Sequence, residues 1–340
     1  MDRWLPILAL VVGFGVTALL GVWMVPFLHK LKFGQTILDI GPKWHKNKQG
    51  TPTMGGIMIA AGVLLSTGVA FAASAAASGA LWGETADGYR MILLLAGLGL
   101  AFGTGFIGFI DDYIKVVKKR NLGLTARQKT MLQLLVAAAY LLTLRLGGME
   151  STWIPFLGDV DVMSGWGLLF WPVALVFIYG FTNAVNLTDG IDGLAASVTL
   201  VVATFFILAA GFLGQQGQMI LAAALAGACV GFLVWNAHPA KVFMGDTGSM
   251  FLGGMVVALS FGIGRPILLI FAGIIYLLEA LSVVLQVTYY KKTKKRLFKM
   301  SPIHHHFEMS GWSEEKIVLS FSAAALIGCV IAFLPIALRW

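Results

Sequence analysis

The chain has 340 residues, of which 58% are hydrophobic and only 12% are charged, and its mean hydropathy is +0.85. A soluble domain carries about 25% charged residues to cover its wetted surface, so a soluble globule is excluded, and the apolar excess with 12% aromatic residues excludes a disordered chain. Two cysteines, Cys229 and Cys329, are too few for a disulfide-rich secreted scaffold. We therefore predict an all-α integral membrane protein. The net charge of +8 is attributed to basic cytoplasmic loops and not to nucleic-acid binding.

About ten apolar segments have the length of transmembrane helices, in a single polytopic domain that covers residues 1–340. A helix rises about 1.5 Å per residue, so about 20 residues cross a hydrocarbon core of about 30 Å. The first segment is not followed by a small-residue cleavage site, so it is interpreted as a span and not as a cleaved signal. The predicted spans are residues 5–28, 52–73, 91–110, 129–146, 166–182, 194–213, 218–235, 249–263, 267–288 and 315–337.

The basic residues are concentrated on one side of these spans. Of the 24 Lys and Arg residues, 18 fall in alternate loops, which by the positive-inside rule are cytoplasmic. Ten spans then place both termini on the periplasmic, outer side, and we expect a multi-pass protein of the bacterial cytoplasmic membrane. The predicted cytoplasmic loops are residues 29–50, 111–129, 183–193, 236–248 and 289–313.

Two polar motifs occur in the first half of the chain, each at the cytoplasmic end of a predicted span. Residues 48–56 place Lys48, which could reach a phosphate, before a Thr-Pro helix start. The adjacent carboxylates of Asp111 and Asp112 repel each other and are easiest to keep ionised beside a cation, which Lys115 on the same helical face provides. In isolation, each motif is also typical of an ordinary solvated helix end.

Residues 183–193, between the fifth and sixth spans, are rich in amides, carboxylates and glycine. The segment contains Asn186, Asp189 and Asp192, and its glycines allow the backbone to approach a ligand closely. The Asp-x-x-Asp spacing resembles an oxygen-rich cation site, although it is not an EF-hand loop. The alternative is a polar turn in which Asp192 caps the following helix.

Residues 243–249 form a Gly-Asp-x-Gly-Ser turn before the eighth span. Asp246 supplies a carboxylate next to hydroxyl groups and to the free N–H groups of a helix start, where phosphates bind. Gly-Lys-Ser/Thr is absent from the sequence, so this is not a Walker loop. Phe243 could stack on a nucleobase or anchor the membrane interface, and an ordinary capped helix start is the alternative for the turn.

Three consecutive histidines, His304, His305 and His306, lie in the last predicted cytoplasmic loop. The spaced Cys and His ligands of a usual zinc site are absent. A hydrogen-bonding loop for a diphosphate is therefore the favoured interpretation, and an accidental polar run is the alternative.

The polar segments together predict one site on the cytoplasmic face. Carboxylates in the presence of phosphates suit Mg²⁺, a hard cation that prefers oxygen ligands. Because the site lies at the depth of the lipid head groups, the reaction predicted is phosphoryl transfer between a soluble nucleotide compound and a lipid phosphate, in which a metal neutralises the developing charge.

The motifs closely resemble those of the polyprenyl-phosphate N-acetylhexosamine-1-phosphate transferases. The resemblance covers about residues 45 to 310, and the Thr-Pro-Thr-Met-Gly-Gly and triple-histidine runs favour the phospho-N-acetylmuramoyl-pentapeptide-transferase branch, translocase I. It implies that undecaprenyl phosphate attacks the β-phosphate of UDP-N-acetylmuramoyl-pentapeptide, so that UMP leaves and lipid I forms for peptidoglycan synthesis. Members of this family commonly form homodimers.

The resemblance also implies roles for individual residues. Asp246 is the expected Mg²⁺ ligand, and Asp111 and Asp112 shape the catalytic site, one of them as a base or as the partner of the lipid phosphate. Phosphates are the expected partners of Lys48, Lys115 and Lys129, and the nucleotide–metal pocket is lined by Asn186, Asp189 and Asp192. The nucleotide contacts Asn236 and Phe243. The diphosphate and sugar are oriented by His304, His305 and His306, and a weaker candidate for the site is Gln286.

Three other functions fit parts of the sequence. A sister transferase would move another sugar-1-phosphate, such as N-acetylglucosamine phosphate, to the same lipid. A transporter would carry charges in the middle of its spans, but the span centres are nearly free of charged and strongly polar residues apart from Glu279 and the uncharged Gln286. A structural scaffold would have no use for clustered aspartates.

Overall fold

The structure, a computed structural model, describes residues 4–31, 48, 50–78, 88–118 and 122–338. Most of the described residues are helical, and two short strands form one antiparallel hairpin. The helices are α1 (Trp4–Lys30), α2 (Gly56–Ser78), α3 (Gly88–Val117), α4 (Ala126–Leu146), α5 (Phe170–Thr188), α6 (Leu194–Phe212), α7 (Gln216–Asn236), α8 (Gly245–Gly262), α9 (Leu269–Ala272), α10 (Ile274–Thr293), α11 (Ile303–Glu308) and α12 (Glu314–Ala337).

Within the described residues, nine helices are long and apolar enough to cross a membrane: α1 to α7, α10 and α12. This confirms an all-helical integral membrane protein. The eighth predicted span, residues 249–263, coincides with α8, whose first turn is polar and whose residues from Thr247 onward are all buried. The ninth predicted span is interrupted, because the short α9 ends at Gly273 before α10 begins. The total of ten spans and the side on which each terminus lies stay predictions.

Helix α8 lies at the centre of the molecule and packs against α3 and α5. Glycines at the contacts make this close approach possible, as is usual between membrane helices. A side chain at Gly253 would overlap the backbone of Thr182 on α5, and one at Gly108 would overlap the carbonyl of Asp246. The start of α8 is therefore pressed against the end of α3.

Several helices extend into segments that the sequence analysis assigned to loops. The predicted loops at 111–129 and 183–193 begin inside α3 and α5, so Asp111, Asp112 and Asn186 lie on helices. The helices continue through these positions because their polar side chains find partners on neighbouring helices, such as Asn186 with Asp246. The predicted loop at 29–50 lies mostly outside the described residues.

The polar ends of the helices meet at one end of the bundle. The C-terminal ends of α3, α5 and α7 face the N-terminal ends of α4, α6, α8 and α12, as hydrogen bonds between these ends show. The hairpin of β1 (Ser151–Ile154) and β2 (Gly158–Asp161) lies at the opposite end, next to the turn after α8, where Trp153 N–H donates to the Gly264 carbonyl. An all-α prediction did not include this hairpin.

Candidate active site

Three carboxylates from two helices form what we call the acidic cluster: Asp111 and Asp112 of α3, and Asp246 in the first turn of α8. One oxygen of each lies within 4.8 Å of the others. Asp111 and Asp112 are 3% exposed as residues, although they carry charge. The glycine contact between α3 and α8 brings the three together, because Gly108 precedes Asp112 by one helical turn and touches the Asp246 backbone.

Asp112 anchors the start of α8. Its Oδ1 accepts a hydrogen bond from the Asp246 backbone N–H at 3.2 Å, and its Oδ2 accepts from the N–H and the hydroxyl of Thr247 at 2.9 and 2.7 Å. These N–H groups belong to a helix start, which has no intrahelical acceptor for them and which favours negative charge. Asp112 therefore fixes the position of Asp246, its partner in the acidic cluster.

Asp111 faces the loop between α3 and α4 and a lysine. Its Oδ1 accepts from the Leu124 backbone N–H at 2.7 Å, and its Oδ2 lies 2.6 Å from Lys115 Nζ. Lys115 Nζ also lies 2.8 Å from Asp246 Oδ2, and Lys129 Nζ lies 2.9 Å from the same oxygen. Two ammonium groups are thus held beside the acidic cluster, as expected for lysines that contact phosphates.

The α5 helix and the turn after it complete this side of the site. Asn186 donates to Asp246 Oδ1 and to the Ser249 hydroxyl, both at 2.8 Å, so it holds the second oxygen of Asp246. The pKa of Asp189 is raised well above its usual value by burial and by the charges of Asp246, Asp112 and Asp192. Asp189 therefore lies within electrostatic reach of the acidic cluster, although it has no lysine contact among the described residues.

The residues present fit a magnesium ion. When all are ionised, the carboxylates of Asp111, Asp112, Asp189 and Asp246 exceed the ammonium groups of Lys115 and Lys129 by two negative charges. Burial is the main cause of the raised pKa of Asp189, and the neighbouring carboxylates of Asp246, Asp112 and Asp192 raise it further. Carboxylate oxygens that are close together and under-neutralised are the donors that Mg²⁺ takes when it also binds phosphates.

A second group, the Lys48 cluster, consists of Lys48, Asp192, His238 and Glu314. Lys48 Nζ lies 2.7 Å from Asp192 Oδ1 and 2.6 Å from Glu314 Oε1. The other oxygen of Asp192 accepts from the Ala240 N–H at 3.0 Å and lies 2.9 Å from His238 Nδ1. The hydrogen bonds of Asp192 belong to this cluster, and its predicted place in the nucleotide–metal pocket with Asn186 and Asp189 stays a prediction.

The turn of residues 189–193 joins the two clusters. Gly193 has a φ of 77°, a left-handed conformation that favours glycine, and its N–H donates to Asn236 Oδ1 at 3.1 Å. Asn236 Nδ2 donates to the Val242 carbonyl at 2.9 Å, and the residue is only 3% exposed. Asn236 therefore bridges the turn and the loop before α8, a structural role that the prediction of a nucleotide contact did not include.

Phe243 lies in that loop and is half-buried. Its N–H donates to the Pro52 carbonyl at 2.8 Å, and its carbonyl accepts from the Gly55 N–H at 2.9 Å. This pairing holds residues 52–55 beside the start of α8. The backbone that carries the aromatic ring is thus fixed by two hydrogen bonds to residues 52–55.

The three histidines do not act as one group. His304 is fully buried, its Nδ1 lies 3.0 Å from Glu279 Oε2, and a side chain at Gly190 would overlap its imidazole. His304 therefore packs against the 189–193 turn. His305 pairs with Glu308, and His306 Nδ1 accepts from the Lys299 N–H at 3.1 Å. The ring of His305 also lies against that of His304, with centroids 4.1 Å apart.

Gln286 is engaged in a different contact. Its Oε1 accepts from the backbone N–H groups of Leu297 and Phe298, and its Nε2 donates to the Phe298 carbonyl. These bonds tie the loop after α10 to that helix. These contacts give no support to the prediction that Gln286 belongs to the site.

Comparison with known proteins agrees with this geometry. Residues 91–263 match the model of glycosyl transferase family 4, and residues 48–59 match signature 1 of phospho-N-acetylmuramoyl-pentapeptide-transferase. Proteins of that name from Clostridium perfringens strain SM101 and Clostridium beijerinckii are 45% and 47% identical over 335 and 330 residues, 96% of this chain and 95% of each relative. One from Halalkalibacterium halodurans is 44% identical, with 96% of both chains covered.

This chain belongs to the phospho-N-acetylmuramoyl-pentapeptide-transferase family. It is therefore a multi-pass membrane enzyme and a transferase. The signature that defines the family here includes Lys48, and the glycosyl transferase family 4 match contains the acidic cluster and the 189–193 turn. The histidines at 304–306 and Glu314 lie beyond both matched ranges.

Two residues of the Lys48 cluster, Glu314 and His238, could not be assigned to the site from the sequence of this transferase, and Glu279 could not be assigned its partner. Glu314 follows Ser313, whose side chain caps α12, so it resembles an ordinary acidic residue in a first helical turn. His238 lies in a loop with one lysine and no other signal. Glu279 was visible as a charge in the middle of a span, which usually marks a functional or paired residue, and its partner is His304.

Proposed function

We propose that the chain transfers phospho-N-acetylmuramoyl-pentapeptide from its UDP-linked precursor to undecaprenyl phosphate, with release of UMP and formation of lipid I. The names and the 44–47% identity of its relatives carry this assignment. The acidic cluster with its two lysines is the observation of this chain that supports it chemically. We place the site at the cytoplasmic face of the bacterial inner membrane, because the basic loops lie at the same end of the bundle.

The reaction exchanges one phosphoanhydride for another. An oxygen of undecaprenyl phosphate attacks the β-phosphorus of the UDP-linked substrate, the bond from that phosphorus to the α-phosphate oxygen breaks, and UMP leaves with the bonding electron pair. Because the bond formed is of the same kind as the bond broken, the equilibrium should be nearly balanced, so the enzyme need only stabilise the charge of the transition state.

Asp246 would hold Mg²⁺ together with a neighbouring carboxylate of the acidic cluster. When bound, the ion supplies charge neutralisation at the phosphate oxygens. Asp112 keeps Asp246 in place through the N–H groups of α8, and Asn186 orients its second oxygen. Lys115 and Lys129, now 2.8 and 2.9 Å from Asp246 Oδ2, are placed to bind phosphate oxygens of the two substrates.

In this proposal the nucleotide binds next to the Lys48 cluster and Phe243. Lys48 contacts a phosphate oxygen, and the Phe243 ring offers a face for the uracil. His304 lies behind the 189–193 turn, so it acts by supporting that turn against the substrate. Homodimers are common in the family, and in a homodimer each chain would carry its own complete site.

The test is transfer by the purified protein in detergent, with labelled UDP-N-acetylmuramoyl-pentapeptide, undecaprenyl phosphate and Mg²⁺. We expect labelled lipid I, and a large excess of unlabelled UDP-N-acetylglucosamine should leave its rate unchanged. Transfer from UDP-N-acetylglucosamine, with none from the muramoyl compound, would instead assign the chain to the sister activity.

A further inference from the structure

Two neighbouring glutamates at the start of α12 have very different surroundings. Glu314 is the first residue of the helix, and its side chain is 9% exposed. The side chain of Glu315, next in the chain, is 58% exposed, and its Oε1 lies 3.8 Å from His238 Nε2. Burying a carboxylate is costly unless it is paired and hydrogen-bonded, so the buried Glu314 must have partners that compensate for its loss of water.

Glu314 contacts both sides of the Lys48 cluster. Both of its oxygens lie next to Lys48 Nζ, at 2.6 and 2.7 Å. Its Oε2 also accepts a hydrogen bond from the Asp192 backbone N–H at 3.0 Å. A single side chain on α12 thus fixes the lysine and the turn that joins the two clusters.

The chemistry of lysine explains why such a residue is useful. The ammonium group is carried by four flexible carbons, and holding it still costs side-chain entropy. Asp192 alone would hold Lys48 Nζ at a single oxygen, 2.7 Å away. Glu314 adds two further oxygens, one of which can be exchanged for a substrate oxygen without releasing the ammonium group from the other.

We propose that Glu314 is a positioning residue that holds Lys48 ready for a phosphate oxygen of the nucleotide substrate. The inference rests on the proposed function, in which Lys48 contacts that substrate. Glu314 does not touch the reacting atoms. It acts through Lys48, and the hydrogen bond from the Asp192 N–H holds the Glu314 carboxylate itself in place.

The experiment compares Glu314→Gln with Glu315→Gln in steady-state transfer assays of the full-length protein. Glutamine keeps the size of the side chain and removes its charge. For Glu314→Gln we expect kcat/KM for UDP-N-acetylmuramoyl-pentapeptide to fall about tenfold or more, mainly through KM, while the KM for undecaprenyl phosphate changes less than about twofold. Glu315→Gln should match the wild type. Equal kinetics for the two variants would overturn the proposal.

A double-mutant cycle separates positioning from a general structural role. Because Glu314 acts through Lys48, Glu314→Gln should cause little further loss when Lys48→Ala is already present. Losses that multiply in the double variant would show that Glu314 acts independently of Lys48. If Glu314→Gln does not fold, as judged by thermal unfolding, Glu314→Asp, which keeps the charge on a shorter stem, takes its place in the cycle with the same expectations.

The outcome also distinguishes this inference from the proposed function. If the proposed function is wrong, the wild type and Glu315→Gln both fail to form lipid I. If only the inference is wrong, all three proteins form lipid I at similar rates.

Discussion

At the scale of single residues, Asp111 and Asp112 are chemically different although they are adjacent in the chain. The oxygens of Asp112 are taken by N–H and hydroxyl groups of α8, whereas Asp111 faces a lysine and the loop before α4. The sequence could predict that both lie in the site, since two adjacent carboxylates at a span end repel each other and are costly in free energy without a function. It could not assign their roles, because those depend on which helix packs against α3.

Asp189 gives a testable electrostatic prediction. Burial and neighbouring carboxylates raise its pKa in the folded protein, so between the unfolded value of about 4 and the folded value the folded state binds more protons. Its contribution to the free energy of unfolding therefore decreases as the pH rises through this window. In metal-free protein, Asp189→Asn should raise the Tm at pH 8, and the gain should shrink as the pH falls toward about 4.

Thermal unfolding in detergent with a chelator measures this effect. Asp161 in the hairpin is a control of opposite sign, because hydrogen bonds from the Ser164 hydroxyl and the Met163 N–H lower its pKa. Asp161→Asn should lower the Tm slightly at pH 8. A Tm for Asp189→Asn that equals the wild-type value at every pH would show that Asp189 carries no uncompensated charge.

At the scale of elements, hydropathy located the spans but not the ends of the helices or their partners. Each predicted span overlaps helical residues, and nine of the described helices are long and apolar enough to cross a membrane, because a run of about 20 apolar residues has few other structures there. The polar segments were interpreted as loops because their partners are distant in sequence, such as Asn186 with Asp246. The hidden pairing of Glu314 with Lys48 joins residues 266 positions apart, which no local pattern reveals.

The contact between α3 and α8 can be tested with two glycines of the same helix. A methyl group at Gly108 would overlap the Asp246 carbonyl, whereas Gly99 has no described atom within 4 Å of an added methyl group. Gly108→Ala should push the start of α8 away and reduce transfer activity at least about tenfold, since small displacements at a reacting centre are costly. Gly99→Ala should retain wild-type activity, because alanine is also the better helix former.

Initial rates of lipid I formation and the Tm should be measured for both variants. Full activity of Gly108→Ala would mean that α8 tolerates displacement, and the glycine contact would then not explain how Asp246 is placed.

At the scale of the whole molecule, the two clusters with Lys48, Lys115 and Lys129 lie at one end of the helix bundle, and the hairpin lies at the other. The charge pattern predicted this separation before any contact was known, since Lys and Arg determine orientation loop by loop. The convergence of the aspartates was also predictable, because they follow spans that end on the same side. The division of the site into two clusters was not predictable, since it depends on the turn between α5 and α6 and on α12.

Orientation is testable by labelling of single cysteines in right-side-out membrane vesicles. Phe156 in the hairpin is 80% exposed and Lys292 at the end of α10 is also exposed, whereas the native Cys229 and Cys329 are buried. A membrane-impermeant maleimide should label Phe156→Cys in intact vesicles and Lys292→Cys only after the vesicles are opened. The reverse pattern would place the acidic cluster on the outer face.

The acidic cluster is the proposed magnesium-dependent centre of transfer, and Asp246→Ala tests this role directly. UMP release should be measured for this variant and for the wild type while Mg²⁺ is titrated from zero, with membrane insertion checked for both. We predict that the wild type releases UMP in proportion to bound Mg²⁺ and that Asp246→Ala, though inserted, releases none at any Mg²⁺ concentration. Wild-type release by the variant, or release by the wild type without a divalent cation, would contradict the account.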